Sequence, residues 1–396
     1  MGVDDGVLAR EKKRAIILMA PRRGSGLKMQ IHPSDILLRK TFQDPTSCCD
    51  GLIDHIDRCM RCRKRLRVLL IPSLGAKPFD YDSAFDRSFQ ILQSAQRAFV
   101  RERAEAPGLL SALRSHPIER QKILLRNHPR FQTWGLLEIL LRRSHDEIFH
   151  GAGNSSDELA HLGLMLADYL DSALYGSERI EDLRARAWGL IGNSRRVSGH
   201  LPEADQAFAQ AFCHLRTGTG DVIEQANLLQ LKASLRRLQR RFTESLRLLE
   251  RTIAIFRKVG EHHSVGRSLV KLAVLHHVQG ESEKGIPLLK MALPLLDPLD
   301  SRVVVCAWHN LVDDMATTGR FMEAQGFLAK ARAIYQQFPE PEVQGRLKWV
   351  EGKISRGLGR YREARTLLQS AHNGLQAANL PHEAAQVSSE ILSLPL

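Results

Sequence analysis

A period of about forty residues governs the second half of the chain. Gly199, Arg240, Gly280, Gly319 and Gly359 each close one segment and open the next, at separations of 41, 40, 39 and 40 residues. Counted from these anchors, the same residue types return. Seven positions before them stand Gly192, Ala233, Ala273 and Gly352, with Val312 the exception. Five after come Ala204, Ser245, Gly285, Ala324 and Ala364; nine after come Phe208, Leu249, Leu289, Leu328 and Leu368. Twelve after come Ala211, Thr252, Ala292, Ala331 and Ala371. Small residues at fixed offsets let two helices approach closely, and bulky ones fill the groove between them. A period of this length builds a stack of helical hairpins, not a globular enzyme core.

The remaining totals narrow the partners more than the fold. The 396 residues carry a net charge of +13, which attracts polyanions, acidic proteins or acidic lipid surfaces. Residues 1–70 hold fifteen Lys/Arg against eight Asp/Glu, so about half of that charge sits there. Its peak is the run Arg61-Cys62-Arg63-Lys64-Arg65-Leu66-Arg67, read as a solvated basic helix end or as a docking surface for an acidic partner or nucleic acid. Of the six cysteines, Cys213 and Cys306 fall in repeats and are expected as small core residues. The apolar stretch Ala15-Ile-Ile-Leu-Met-Ala20 is too short for a secretory signal, and no apolar run approaches membrane-span length. A cytoplasmic, reducing location without disulfides is the expectation.

The chain divides as follows. Residues 1–28 are charged and lack any period, as in a disordered basic leader, and Met29 is an alternative start to Met1. Residues 29–70 form a small helical unit, and 71–80, with Pro72, Gly75 and Pro78, a linker. Residues 81–179 are irregular and helical. A helix over 81–104 is broken by Pro107; short helices follow at 109–113 and 118–125. Then come a strong amphipathic helix over 131–149, a turn at 151–156, and a helix capped near Ser156 and running to Leu170. Regular repeats occupy 180–396, closed by a capping helix after Pro381.

The first repeat, Trp188, Ile191, Gly192, Gly199, Ala204, Phe208 and Ala211, has the internal spacing that resembles the tetratricopeptide family. The fourth (Trp308, Leu311, Gly319, Phe321, Ala324, Leu328, Ala331) and fifth (Gly352, Gly359, Tyr361, Ala364, Leu368, Ala371) support it. The resemblance covers roughly residues 180–375 and implies an all-α, tetratricopeptide-like α-solenoid. Two departures stand out. The family period is 34 rather than near 40, and Leu229 and Leu269 replace the aromatic of the second and third repeats.

One chemical motif is present. In His55-Ile-Asp-Arg-Cys59-Met-Arg-Cys62, positions i and i+4 share a helix face, so His55 and Cys59 converge, with Cys62 one turn on. Imidazole and thiolate together suit zinc, which takes four such ligands in a closed structural site. His32 is the preferred fourth ligand, 23 residues before His55; Cys48 and Cys49 are its rivals. Ser34 or Asp35 starts a helix directly after His32, which fixes that residue at the end of a rigid element. This segment resembles the zinc-binding anti-sigma family of bacteria, over about residues 30–68. The resemblance implies His32, His55, Cys59 and Cys62 as ligands, zinc as the metal, and a sigma factor or other transcription component as the docked partner. The likeness is weakened by Asp44-Pro45-Thr46-Ser47, which interrupts the middle helix.

Nothing else carries chemistry. Gly24-Ser-Gly and Thr217-Gly-Thr-Gly220 are turns rather than phosphate loops, and no Gly-x-Ser-x-Gly elbow occurs. His262-His263 and His276-His277 read as surface or groove residues, and Asp313-Asp314 as a solvated pair. Arg195, Arg196, Arg236, Arg237, His276 and Lys348 are the polar candidates for a groove that binds an acidic or polar peptide. The expectation is a non-enzymatic scaffold that binds protein partners. A nucleic-acid binder working through the basic N-terminal segment is the alternative.

Overall fold

The protein is described here by a computed structural model covering residues 32–43, 51–70, 81–149 and 153–395. The basic leader, the Asp44-Pro45 interruption, Cys48, Cys49 and the 71–80 linker lie outside these described residues. Within them the chain is all-α, with no strand. By contacts it divides into two units, the second beginning at Gln225, inside a helix.

In the first unit, α1 (Asp35–Gln43), α2 (Leu52–Arg58) and α3 (Met60–Leu70) form the small N-terminal part. The α1 start is capped by Ser34, whose Oγ accepts from Leu37 N–H at 3.3 Å. Leu38, Leu52, Ile53, Ile56 and Leu66 close a core that also takes Phe85 and Phe89 from the next helix, α4 (Tyr81–Arg114). The small unit therefore shares its core with residues beyond the expected linker.

Helix α4 runs through Pro107 without interruption, against the expected break there. Packing on both sides of the proline explains it. Ala106, Leu109, Leu110 and Leu113 are buried, and Phe99 sits edge-on to Trp134 and Tyr175, with centroids 5.7 and 5.8 Å away. Gly135 also lies so close to the α4 backbone at Glu102 and Arg103 that no side chain would fit there. Such burial outweighs the roughly 3 kcal/mol that a proline costs in a helix interior.

Next come α5 (Ile118–Asn127), α6 (Trp134–Phe149), α7 (Gly153–Ala167) and the single turn α8 (Ser172–Tyr175). Helix α7 begins at Gly153, not near Ser156. Ser156 is instead buried, and its carbonyl accepts from Ser144 Oγ at 2.8 Å. Helices α9 (Ser177–Val197) and α10 (Leu201–Thr217) make the first regular hairpin, with the Phe208 ring 3.1 Å from where a Gly192 Cβ would stand.

Helix α11 (Val222–Leu238) leads into the second unit, where α12 (Phe242–Val259), α13 (His262–Val278), α14 (Ser282–Ala292), α15 (Ser301–Thr317), α16 (Phe321–Tyr335), α17 (Pro341–Gly357), α18 (Tyr361–Ala377) and α19 (Pro381–Leu392) follow. Residues at the recurring offsets, Ala233, Leu249, Ala273, Leu289, Val312, Leu328 and Leu368, are buried as the period requires. All five anchors have left-handed backbones: Gly199 (φ 84), Arg240 (φ 56), Gly280 (φ 77), Gly319 (φ 81) and Gly359 (φ 75). After each, the next N–H reaches back five residues: His200 to Arg195, Arg241 to Arg236, Glu281 to His276, Arg320 to Met315, and Arg360 to Ser355, at 2.8–2.9 Å. These are Schellman caps, and they end the first helix of every hairpin at the same register.

Candidate functional site

The N-terminal motif folds around a break in the helix. Cys59 adopts an extended conformation (φ −107, ψ 100) between α2 and α3, so the His55–Cys62 segment is not the continuous helix its spacing suggested. His55 ends α2, Cys59 is the joint, and Cys62 lies in the first turn of α3. His32 enters from the residues just before α1. The ligand atoms of His32, His55, Cys59 and Cys62 all lie within 4.8 Å of one another. Cys62 Sγ is 3.2 Å from His32 Nδ1 and 3.3 Å from His55 Nε2, and Cys59 Sγ is 3.4 Å from His32 Nδ1. Ligand bonds of about 2.0–2.3 Å give a tetrahedral site edges of about 3.3–3.8 Å, so these separations suit one small cation.

The crowding of the four side chains also acts on their protons. Burial, then the neighbouring His32, pushes the His55 imidazole below its usual range. Burial and the adjacent Cys59 push the Cys62 thiol up to about 11. Cys59 is lowered chiefly by the Cys62 N–H, which donates to its sulfur at the start of α3. Two imidazoles and two thiols at these distances form a donor set that one metal ion can bridge, the thiols giving up their protons on binding. The cluster can hold a metal ion.

The basic run around the cluster is partly structural. Arg65 grips Asp35 Oδ1 at 2.5 and 3.0 Å and the Pro33 carbonyl at 3.0 Å, which fixes the segment carrying His32. Arg63 stacks over Phe89 and Arg67 over Phe85, at 5.6 and 5.5 Å from the ring centroids. Arg58, Arg61 and Lys64 remain exposed.

In the second unit, α11, α13, α15, α17 and α19 make an inner row. Their polar side chains meet one period apart. His277 Nδ1 meets Asp314 at 2.6 Å, and Arg346 pairs with Glu383 at 2.7 and 2.9 Å, each partner 37 residues on. Lys353 donates to Asp313, 40 residues before it, at 2.7 Å and lies over the Trp349 ring. Trp349 Nε1 donates to Glu390, and Gln230 to Ser268. Asp313 and Asp314 are therefore buried and paired, not a solvated pair. Burial works against the Asp313 carboxylate, but Lys353 and His309 hold it below the usual range. Cys306 and Cys213 are exposed, against the core role expected for them. Surrounding protein nevertheless pushes the Cys306 thiol up and the neighbouring His309 down to about 4.

Most of the expected groove cations are already engaged. Arg195 faces Asp157 at 3.8 Å, and Arg196 donates to Asn193. Arg236 is buried against Glu244, and His276 faces Glu281 at 2.9 Å. Lys348, on α17, lines a cleft of about 340 Å³ among α16, α17 and α18, where it pairs with Glu351. Arg237 has no hydrogen bond or ion pair among the described residues, and the sequence reading missed its counterpart, Arg267. The signal that finds Arg267 is register: it occupies the position of Arg346 two repeats earlier.

Residues 224–297 match the tetratricopeptide repeat family, and the chain carries repeats of that type, a fold of protein interaction. Several solved structures are similar in fold. One is BtubC from P. vanneervenii, at 18% identity and TM-score 0.48, over 58% of this chain and 92% of that one. Another is aspartyl phosphate phosphatase F from Bacillus subtilis, at 11% identity and TM-score 0.47, over 92% and 95%. A third is a Rap protein complexed with competence and sporulation factor, at 10% identity and TM-score 0.48, over 90% and 96%. No curated protein sequence matches the chain. No helix among the described residues is long and apolar enough to cross a membrane.

Proposed function

We propose that this is a non-enzymatic, cytoplasmic regulatory scaffold of bacterial type, with two docking modules. The inner row of the repeats engages a protein partner. The N-terminal cluster holds one structural zinc ion through His32, His55, Cys59 and Cys62 and presents its helices to a sigma factor or another transcription component. The observation that carries this reading is the convergence of two imidazoles and two thiols on one point beside an interaction fold. Zinc fits this donor set because it accepts nitrogen and sulfur tetrahedrally, and four protein ligands leave no position for a reacting water. Its role is then to fix the α1–α2–α3 arrangement, whose apolar core is small. Docking would act sterically, by covering the surface that polymerase needs on its sigma factor.

The nucleic-acid alternative is weakened by Arg63, Arg65 and Arg67, which are turned to Phe89, Asp35 and Phe85. Metal analysis of the purified chain tests the first module: one zinc per chain is expected, and Cys59→Ser should lose it. Affinity capture with mass spectrometry tests the second. Recovery of neither a sigma factor nor a polymerase subunit removes the transcription role.

A further inference from the structure

The inner row follows a rule that it breaks at two places. His277 finds Asp314 and Arg346 finds Glu383, each 37 residues later on the next inner helix. Arg237 and Arg267 occupy the positions of His277 and Arg346 in earlier repeats, but 37 residues on from them stand Val274 and Val304. Arg346 has a second acid one turn back, Glu342; the residue one turn before Arg267 is His263. Both arginines are half-buried, and burial alone or nearly so acts on them. The Asp300 carboxylate reaches Arg267 only at range, since it is held by His263 at 3.2 Å and caps α15 at Val303 N–H. The row's other acids are spoken for: Asp313 by Lys353, Glu383 by Arg346, and Glu390 by Trp349 and Arg356.

A guanidinium taken half out of water without a carboxylate carries a cost that an incoming anion removes. Lys271, which reaches Ser234 Oγ at 3.2 Å, stands one turn beyond Arg267 on the same helix. By register Arg237 lies level with position 277, ten positions from Arg267, or about 15 Å at 1.5 Å per residue. An extended peptide covers that distance with about four or five residues. Arg rather than Lys at both ends favours bidentate recognition of carboxylates.

We propose that the α11–α13–α15 part of the inner row binds an extended acidic peptide segment of a partner protein, its carboxylates completing the ion pairs that Arg237 and Arg267 lack within the chain. This deepens the scaffold reading above and rests on it. The metal-loaded full chain would be titrated against a fluorescent peptide of alternating Glu and Gly, its Gln counterpart, and a single-stranded oligonucleotide. The Glu peptide should bind with salt-sensitive affinity and the Gln peptide should not. Arg237→Met and Arg267→Met should each weaken binding at least about tenfold, whereas Arg61→Gln with Lys64→Gln should leave it unchanged. Because neither arginine is paired, both methionine variants should melt no lower than the parent, which separates lost recognition from lost folding.

Binding of the Glu peptide that ignores both substitutions overturns the proposal, as does no binding. An oligonucleotide that binds more tightly through the same two arginines also overturns it. A peptide array separates the two readings. Neutral peptides that protect Cys306 from alkylation would retain the peptide-binding face and sink only its acidic preference; an array that binds nothing would sink both.

Discussion

The same register position carries glycine in four hairpins and arginine in one, and this sets up two substitutions of opposite sign. Gly280 has φ 77, and a Cβ added there meets nothing within 4 Å. The penalty for Gly280→Ala is therefore confined to the backbone. A left-handed residue with a Cβ costs about 1–2 kcal/mol, and the alanine returns about 0.4–1 kcal/mol by restricting the unfolded chain. The net expectation is a loss of about 1 kcal/mol. Arg240, at φ 56 in the equivalent cap, already carries that strain. Arg240→Gly should gain about 1 kcal/mol by the same reasoning run backwards. Urea unfolding followed by far-ultraviolet circular dichroism reads both as shifts of midpoint at constant slope. The double variant should fall near the parent, since the two caps are separate sites. If Gly280→Ala is neutral, or Arg240→Gly destabilises, the left-handed cap is not what terminates these helices, and the account of the period fails.

Other perturbations test other parts of the molecule. Chelation, or His32→Ala, should unfold the α1–α3 region while leaving repeat helicity in place, visible as loss of a small fraction of the ellipticity and new protease cleavage before Tyr81. Gly352→Val should cost about 1–3 kcal/mol by overpacking, because Leu368 Cδ2 lies 2.7 Å from the added Cβ. The bond to Asp314 raises the His277 pKa above 6.5. Its contribution is therefore fully present below pH 6.5 and lost as pH rises through the higher folded value. Asp314→Asn should flatten that part of the pH–stability curve, and a retained slope would count against the pair.

How much the chain discloses depends on the range of the interaction. Caps and small-to-large contacts are local to a hairpin, so Gly192 with Phe208 and Gly352 with Leu368 are legible from one period of sequence. His32, His55, Cys59 and Cys62 could be chosen by residue type and spacing, but the break at Cys59 could not, because nothing in His-Ile-Asp-Arg-Cys announces an extended residue. Pro107 misleads because local chemistry argues for a break that tertiary burial overrides. Asp313-Asp314 misleads for the reverse reason: its partners, Lys353 and His277, lie in other repeats, invisible without the register between hairpins. Once that register is known, offsets of 37 and 40 residues become a search rule.

A repeat that satisfies its own rule is already paired, so it presents little to a partner beyond shape. Lys353 and Arg346 illustrate this: each is cationic, but each is bound to a carboxylate of the same unit, and an incoming acid would have to displace it. Arg237 and Arg267 need no displacement, because valine stands where the rule puts an acid. Similar reasoning separates the cations of the N-terminal run. Arg63, Arg65 and Arg67 bind α4 and the His32 segment to the small core. Arg61 and Lys64 are exposed and free to meet a partner without loosening that core. Charge count alone would rank the N-terminal run first as a binding surface. Discounting cations already engaged within the fold moves the stronger claim to the two arginines of the inner row, where desolvation has been incurred and its compensation has yet to arrive.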